Sequence, residues 1–319
     1  MKKVVYITGC LGFIGAYVTR TCLKRGWYVR GIDKITYASN TDLLEEFEKY
    51  PNFIFENKDI NNIKFLYDCD YVLNTAAETH VGNSIVNSAE FIRSNINGVY
   101  NILELIRNYR SEGKTKPVLV HFSTDEVYGD IKKGRHLETD ILKPSNPYSA
   151  TKAAADQLIL AWGRTYKLPY VIVRPTNNYG IGQYTEKLIP KSVKFLHLGK
   201  KIPLHDNGNP VRNWLHAQDT ADAVLTILDN LNEDTINNIY NIAGGFEQTN
   251  ISTVTKIIKE YLGDTNIFSY IDNTFNRVGQ DVRYALDDTK LRNLGWKPKK
   301  SFDEELPAIV DYYKNNFIW

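Results

Sequence analysis

Cysteine is scarce: three residues, Cys10, Cys22 and Cys69, in a chain of 319. They form neither a CxxC pair nor an even framework, which excludes a disulfide scaffold and argues against a zinc site. The six histidines show no metal-ligand spacing either, so no metal is expected. Excess charge is missing too. The 39 Lys and Arg nearly balance the 37 Asp and Glu, leaving +2, so no broad basic field for nucleic acid is expected. No stretch approaches the ~18 uninterrupted apolar residues of a membrane span. Internal repeats and low-complexity linkers are absent. Disorder is excluded by 43% hydrophobic and 12% aromatic residues, enough for one large core or two linked ones. Lys2 and Lys3 ahead of an apolar run from Val4 to Val18 imitate a secretory leader. Gly9, Gly12 and Gly15 interrupt that run and no small-residue cleavage site follows, so a cytoplasmic protein is expected.

What is present is an alternation. Val4–Ile7, Tyr28–Ile32, Phe53–Phe55, Tyr71–Leu73, Val118–Phe122 and Tyr170–Val173 read as short buried strands. Phe13–Arg25, Ala89–Tyr109 and Tyr148–Tyr166 carry helical apolar periodicity. Strands alternating with helices predict an α/β fold, a Rossmann-type doubly wound parallel sheet covered on both faces. Beyond Arg174 the texture changes, with Asn177, Asn178, Gly180, Gly182, Pro190, Pro203, Gly208 and Pro210 punctuating loops. Helices are expected at Ala217–Leu231, Ile251–Leu262 and Phe302–Asn315, and a strand at Ile239–Ile242. The expected division is a dinucleotide-binding domain from 1–174 plus 213–244. A smaller, interleaved α/β substrate-binding domain takes 175–212 plus 245–319.

Gly9, Gly12 and Gly15 fall between the first strand and the first helix. Such a turn needs unusual backbone angles, and a side chain there would bar a pyrophosphate from the helix N-terminus. The spacing GxxGxxG meets the dinucleotide fingerprint only approximately, and a glycine-rich turn without a ligand is the bland alternative. Asp33 adds the second half of the pattern. It ends the second strand 18 residues beyond Gly15, near the ~20-residue spacing of a ribose-binding carboxylate. Its charge would repel a 2′-phosphate, so NAD is expected over NADP, with Lys34 as the one nearby cation able to pair such a phosphate. Asp59 and Thr75-Ala76-Ala77 follow later strands, at the sheet end where ligands bind, although small residues such as Ala76 and Ala77 also serve close packing.

Tyr148 and Lys152 are four apart and share a helix face. A tyrosine is a poor base at neutral pH, with a pKa of ~10. A lysine ammonium at ~4 Å and an effective dielectric of ~20 is worth ~4 kcal/mol, up to about three pKa units. That would make a phenolate accessible for taking a proton from a substrate hydroxyl.

Gly9–Gly15 with Tyr148 and Lys152 resembles the extended short-chain dehydrogenase/reductase family. Ser123-Thr124-Asp125-Glu126-Val127-Tyr128-Gly129 and Asn146–Ala153 resemble the nucleotide-sugar 4,6-dehydratases within it. So do Arg174–Gly180, Glu186–Pro190, Val211–Leu215 and Tyr240–Ile242. The likeness runs to about Trp296. It is close both to bacterial dTDP-glucose 4,6-dehydratases and to the dehydratase domain of plant-type UDP-rhamnose synthases. It implies an NAD-dependent lyase that converts a nucleoside-diphosphate glucose into the 4-keto-6-deoxy sugar, towards rhamnose and related deoxysugars, in a homodimer that pairs helices near 89–109 and 148–166.

The resemblance also assigns residues. Glu126 would remove the C5 proton and Asp125 would protonate the departing C6 hydroxyl. Thr124 would bond the C4 oxygen, helped by Tyr148. Phe13, Ile14, Asp33, Lys34, Asp59, Ile60, Ala76, Ala77, Ser94, Asn178, Tyr148 and Lys152 would line NAD. Thr79, Asn177, Lys187, Leu188, Pro203, His205, Arg212 and Asn250 would hold the nucleotide sugar, with Arg277 and Tyr284 in a second diphosphate and ribose segment. Arg212 suits a diphosphate by its planar fork of donors. Gly82 stands where the family usually has Asp, and Cys10-Leu11 replace small residues in the glycine loop. His80 and His121 are expected to be packed rather than catalytic. The rivals are a 4-epimerase or decarboxylase on the same fold, opposed by the Asp125/Glu126 pair, and a non-catalytic dinucleotide sensor, opposed by Tyr148 and Lys152. The choice between dTDP and UDP, one methyl and one ribose hydroxyl apart, is left open.

Overall fold

Side chains alternate along short strands, and that alternation builds two apolar layers. The computed structural model describes residues 2–111, 113, 116–263, 266–274 and 281–316. The chain opens with β1 (Val4–Thr8), α1 (Phe13–Lys24), β2 (Tyr28–Asp33), α2 (Leu43–Phe47), β3 (Phe53–Asn57) and β4 (Tyr71–Asn74). It continues through α3 (Val81–Val86), α4 (Ala89–Phe91), a π-helical segment (Ile92–Asn97), α5 (Gly98–Ser111), β5 (Val118–Phe122), α6 (Pro147–Tyr166) and β6 (Tyr170–Pro175). Then follow β7 (Asn177–Tyr179), α7 (Leu188–His197), β8 (Ile202–Pro203), β9 (Val211–His216), α8 (Ala217–Asp229) and β10 (Asn238–Ile242). The last elements are β11 (Phe246–Thr249), α9 (Asn250–Leu262), β12 (Ile271–Asp272), α10 (Thr289–Arg292) and α11 (Phe302–Asn315).

Seven strands form one parallel sheet in the order β10-β6-β5-β4-β1-β2-β3. Strand order reverses beside β1, where doubly wound sheets leave a crevice at the strand C-termini. Val5 and Ile7 of β1, Leu73 of β4 and Val171 and Val173 of β6 face a cluster with Val18 and Cys22 of α1 and Val224 and Ile227 of α8. The intervening Tyr6, Val72 and Ile172 face Val99, Ile102 and Ile106 of α5 and Ile159 of α6. Each fully buried aliphatic side chain contributes roughly 1.5–3 kcal/mol. The predicted fold class is the one observed. Among the described residues, no helix is long and apolar enough to cross a membrane.

A third cluster lies apart from the large sheet, built from Ile189 and Val193 of α7, Val254, Ile257 and Ile258 of α9, and Leu306, Ile309 and Val310 of α11. Beside it, β11, β9 and β7 form a small sheet. The re-entry to the large sheet expected at 213 therefore starts with α8, because 213–216 pair inside the small sheet. Leu291 and Trp296 also pack into the first cluster rather than the third.

Candidate active site

The loops leaving β1, β2, β4, β5 and β6 surround one pocket, closed on its far side by the segment before α7. Of the expected cofactor residues, Gly9, Gly12, Phe13, Ile14, Gly15, Asp33, Lys34, Asp59, Ile60, Ala76, Ala77, Ser94, Tyr148 and Asn178 line it. Thr79, Thr124, Asp125, Glu126, Asn177 and Lys187 line it as well. Lys152 lies behind the wall, and Leu188, Pro203, His205, Arg212, Asn250 and Tyr284 lie outside the lining. Arg277 falls outside the described residues.

The glycine turn is a cradle without room for side chains. Gly9 has φ +72°, and a Cβ on Gly15 would stand 2.0 Å from the Gly9 carbonyl oxygen and 2.7 Å from Thr75 Oγ1. At the next strand end the Asp33 carboxylate accepts from Leu11 N (3.1 Å), Ile35 N (2.8 Å) and Ser39 Oγ (3.0 Å). Lys34 is engaged from below by Glu78 (3.3 Å) and Ser94 Oγ (3.0 Å). Ser94 reaches the pocket from the π-helical segment, a wide turn inside what the periodicity predicts as one continuous helix. Its neighbour Asn95 accepts from Glu78 N (2.9 Å) and donates to Glu78 O and Thr151 Oγ1 (3.0 Å each), bonds that hold the segment. Such bulges often mark functional sites.

The acidic pair sits on a single 3₁₀ turn after β5, capped by Thr124 Oγ1, which accepts from Glu126 N. One residue apart, the two carboxyls differ. Asp125 is buried, and its Oδ2 has no hydrogen-bond partner among the described residues. Burial first, then the Glu126 charge, push it up to about 8 against the pull of Arg212 and Thr124. Its surroundings therefore favour the protonated carboxyl. Glu126 is half-buried and accepts from Asn146 Nδ2 (3.3 Å) and the Tyr284 hydroxyl (3.5 Å). Asp281 is the nearer acceptor for that single Tyr284 proton, and it also accepts from Ser145. The Arg212 guanidinium stacks on the Tyr284 ring at 4.6 Å and donates to the carbonyls of Val211 (2.8 Å) and Asp281 (3.1 Å). The turn is anchored underneath by buried Arg174, which binds Asp156 (2.9 Å) and donates to the Tyr128 hydroxyl (2.7 Å).

Tyr148 opens helix α6, whose start is fixed by a capping box between Asn146 and Ser149. Burial raises its pKa, the nearby Glu126 and Asp125 charges add to the rise, and hydrogen bonding with Thr124 opposes it. One turn further along the helix, Lys152 Nζ donates to Phe122 O (2.6 Å) and stands 3.3 Å from His121 Nε2. Burial brings it down to about 8, opposed by Asp156. Glu186, which opens the Glu186–Pro190 motif, accepts from Tyr37 (3.1 Å) at the rim; among the pocket residues that the sequence did not single out, Ser39 braces Asp33 and Glu78 pairs Lys34. No periodicity or motif marks these, since each is defined by a partner distant in the chain. Among the described residues, no three His, Cys, Asp or Glu gather as a metal site.

The chain is similar to other proteins over nearly its whole length. The dTDP-glucose 4,6-dehydratase of Haemophilus influenzae is 38% identical, with 98% of each chain covered. The low-salt glycan biosynthesis protein Agl12 of Haloferax volcanii is 37% identical, covering 97% of this chain and 98% of the relative. The dTDP-glucose 4,6-dehydratase of Streptomyces venezuelae, solved with NAD bound, superposes with a TM-score of 0.90 at 34% identity, covering 98% of this chain and 97% of that one. The pattern describing GDP-mannose 4,6 dehydratase matches residues 6–308, and the chain belongs to that family.

Proposed function

We propose that the protein dehydrates a nucleoside-diphosphate glucose to the 4-keto-6-deoxy sugar, with dTDP-glucose as substrate and NAD as resident cofactor. One observation carries this reading: a buried Asp125, whose surroundings favour the protonated carboxyl, beside a half-buried Glu126, at a pocket that also holds Tyr148. Elimination of water needs an acid and a base together. A 4-epimerase needs no acid at C6, and a dinucleotide sensor needs neither.

The residues present fit NAD. Gly9 and Gly15 leave a cradle that a Cβ would fill, as a pyrophosphate at a helix N-terminus requires. Asp33 suits ribose hydroxyls, and Lys34 is already held by Glu78 and Ser94. Gly9, Gly12, Phe13, Ile14, Gly15, Asp33, Lys34, Asp59, Ile60, Ala76, Ala77, Ser94 and Asn178 would hold the dinucleotide. Held there, NAD would supply the acceptor for the C4 hydride and its return to C6, with no net redox change over a turnover.

The chain's own residues handle the protons. Tyr148 takes the proton of the C4 hydroxyl as its phenolate, a form that the charge of Lys152 favours against the effect of burial, while Thr124 bonds the C4 oxygen. A ketone at C4 acidifies C5–H, and Glu126 removes that proton. Asp125 gives its proton to the C6 oxygen, which leaves as water. Each proton transfer is worth ~10²–10⁴-fold. Arg212, already splayed on Tyr284, offers a fork of donors to the diphosphate. Thr79, Asn177, Lys187 and Leu188 border the sugar, with Pro203, His205, Asn250 and Tyr284 towards the nucleoside.

The reading extends to organisation. Residues 175–216 and part of 245–319 carry most of the substrate side, and the remainder, with Leu291 and Trp296, carries the dinucleotide side. Ile92, Tyr100 and Tyr166 are exposed on the outer faces of the π-helical segment, α5 and α6, which supports a homodimer that pairs these helices. A cytoplasmic location accords with three thiols kept as buried, free cysteines.

The test is incubation with dTDP-glucose and with UDP-glucose in D2O, read by mass spectrometry and NMR. The expected product has lost one water and carries deuterium at C5, because the proton on half-buried Glu126 exchanges with solvent before C5 is reprotonated. An epimer of unchanged mass, with no label at C5, would refute the proposal.

A further inference from the structure

Lys152 occupies an ordered berth. Its Nζ donates to Phe122 O and faces His121 Nε2. On the other side of the ring, Asn74 Nδ2 lies 3.0 Å from His121 Nδ1, and Asn74 Oδ1 accepts from the Thr8 hydroxyl at 2.6 Å. Thr8 and Asn74 end β1 and β4, His121 is on β5 and Lys152 on α6. All four are buried.

Hydrogen-bond chemistry orders the protons along this chain. A 2.6 Å contact suits O–H···O and is short for N–H···O, so the Asn74 carbonyl faces Thr8 and its amide nitrogen faces His121. An amide nitrogen only donates, and His121 Nδ1 must accept. Burial, aided by Lys152 and Arg174, keeps the ring neutral. Its single proton then sits on Nε2, aimed at Lys152. A donor pointed at Nζ favours the amine over the ammonium. The other charged groups around the dyad are Asp156 on α6 and Arg174 on β6, bound to each other, with Asp125 and Glu126 facing Tyr148 from the turn after β5. Asp156 favours the ammonium; burial opposes it, and a donor on His121 Nε2 opposes it further.

We propose that His121 is a positioning residue for the Tyr148–Lys152 dyad, locked by Thr8 and Asn74 in its Nε2–H form so that it sets the berth and protonation of Lys152. The inference rests on the role given to Tyr148 above.

The direct test is NMR of the holoenzyme labelled with ¹⁵N-histidine, with His121→Leu to assign the signal. The expected result is a neutral ring protonated at Nε2 from pH 5 to 8. A ring protonated at Nδ1, or one that titrates in that range, overturns the proposal. Thr8→Val is nearly isosteric and touches neither Lys152 nor Tyr148. It frees the Asn74 amide to turn, so the ring proton should move to Nδ1 and present a lone pair to Lys152. The acid limb of C4 oxidation in a single turnover should then move down by roughly one pH unit, the scale of one hydrogen bond that favours a single protonation state. His121→Leu should move it the same way. Slower oxidation with the limb unmoved in both variants would mean packing alone and would overturn the assignment. Wild-type protein that oxidises no sugar nucleotide at any pH would sink the functional reading, and the role of His121 with it, whatever the tautomer.

Discussion

Replacing Asp125 with Asn should make the protein more stable and less active at once. The carboxyl is buried and held protonated up to about 8, against an ordinary value of 3.8. In the unfolded chain it ionises near 3.8. Between those values the unfolded state gains from ionisation and the folded state does not, so the native carboxyl destabilises the fold increasingly as pH rises. At pH 7 the interval is about three pH units, and at 1.36 kcal/mol each the ceiling is about 4 kcal/mol. Relaxation and water entry reduce such penalties, and about 1–3 kcal/mol is the expected gain. The amide and the protonated carboxyl both present a donor at the unpartnered Oδ2 position, so the comparison isolates ionisation. For 319 residues at about 2.1 cal/mol/K each, that gain raises Tm by about 2–5 °C. The assay is thermal unfolding of both proteins at saturating NAD from pH 5 to pH 8, with turnover measured alongside. The advantage of Asn should be small at pH 5 and grow towards pH 8, while dehydration falls ~10²–10⁴-fold. A flat difference across that range, or an Asn variant no more stable at pH 7, would refute the reasoning.

Tyr148→Phe should abolish C4 oxidation while substrate affinity, measured by calorimetry, stays within about tenfold, because binding comes mainly from diphosphate and base contacts. Gly15→Ala places a methyl 2.0 Å from the Gly9 carbonyl; the purified protein should lose its bound NAD, and retention of a full equivalent would contradict the cradle. Arg174→Met leaves Asp156 buried without its guanidinium and should cost about 3–5 kcal/mol in urea unfolding, with an effect under 1 kcal/mol counting against the anchor.

The large sheet was legible because its strands obey local rules. Val4–Ile7, Tyr71–Leu73 and Tyr170–Val173 are apolar runs bounded by turns, and all lie within parallel strands of the sheet. The small sheet was not legible. Asn177–Tyr179 is three residues long and mostly polar, and its pairing with β9 is decided by the third cluster rather than by its own pattern. The π-helical turn at Ile92–Asn97 hides inside regular apolar spacing, because the cause is the bonding of Asn95 to Glu78 and Thr151. The same limit applies at the site. Tyr148 and Lys152 announce themselves by spacing, yet the lysine's partners are His121 and Phe122 O, which no spacing encodes. Asp125 and Glu126 are chemically alike in sequence, and only burial separates an acid from its neighbour.

That separation gives the pair a property neither carboxyl has alone. During elimination Glu126 gains a proton from C5 and Asp125 loses one to the C6 oxygen, so the charge of the pair is unchanged. A buried site tolerates such an exchange far better than the creation of a second charge, since two adjacent ionised carboxyls would repel at low dielectric. When C5 is reprotonated from Glu126, the proposed cycle leaves one proton too many on Tyr148 and one too few on Asp125. Thr124 stands between them: its hydroxyl donates to Asp125 Oδ1 at 3.2 Å, and it shares a hydrogen bond with Tyr148. The excess and the deficit thus lie at either end of one hydroxyl, and the resting protonation can be restored inside the pocket without passing a net charge through the buried wall.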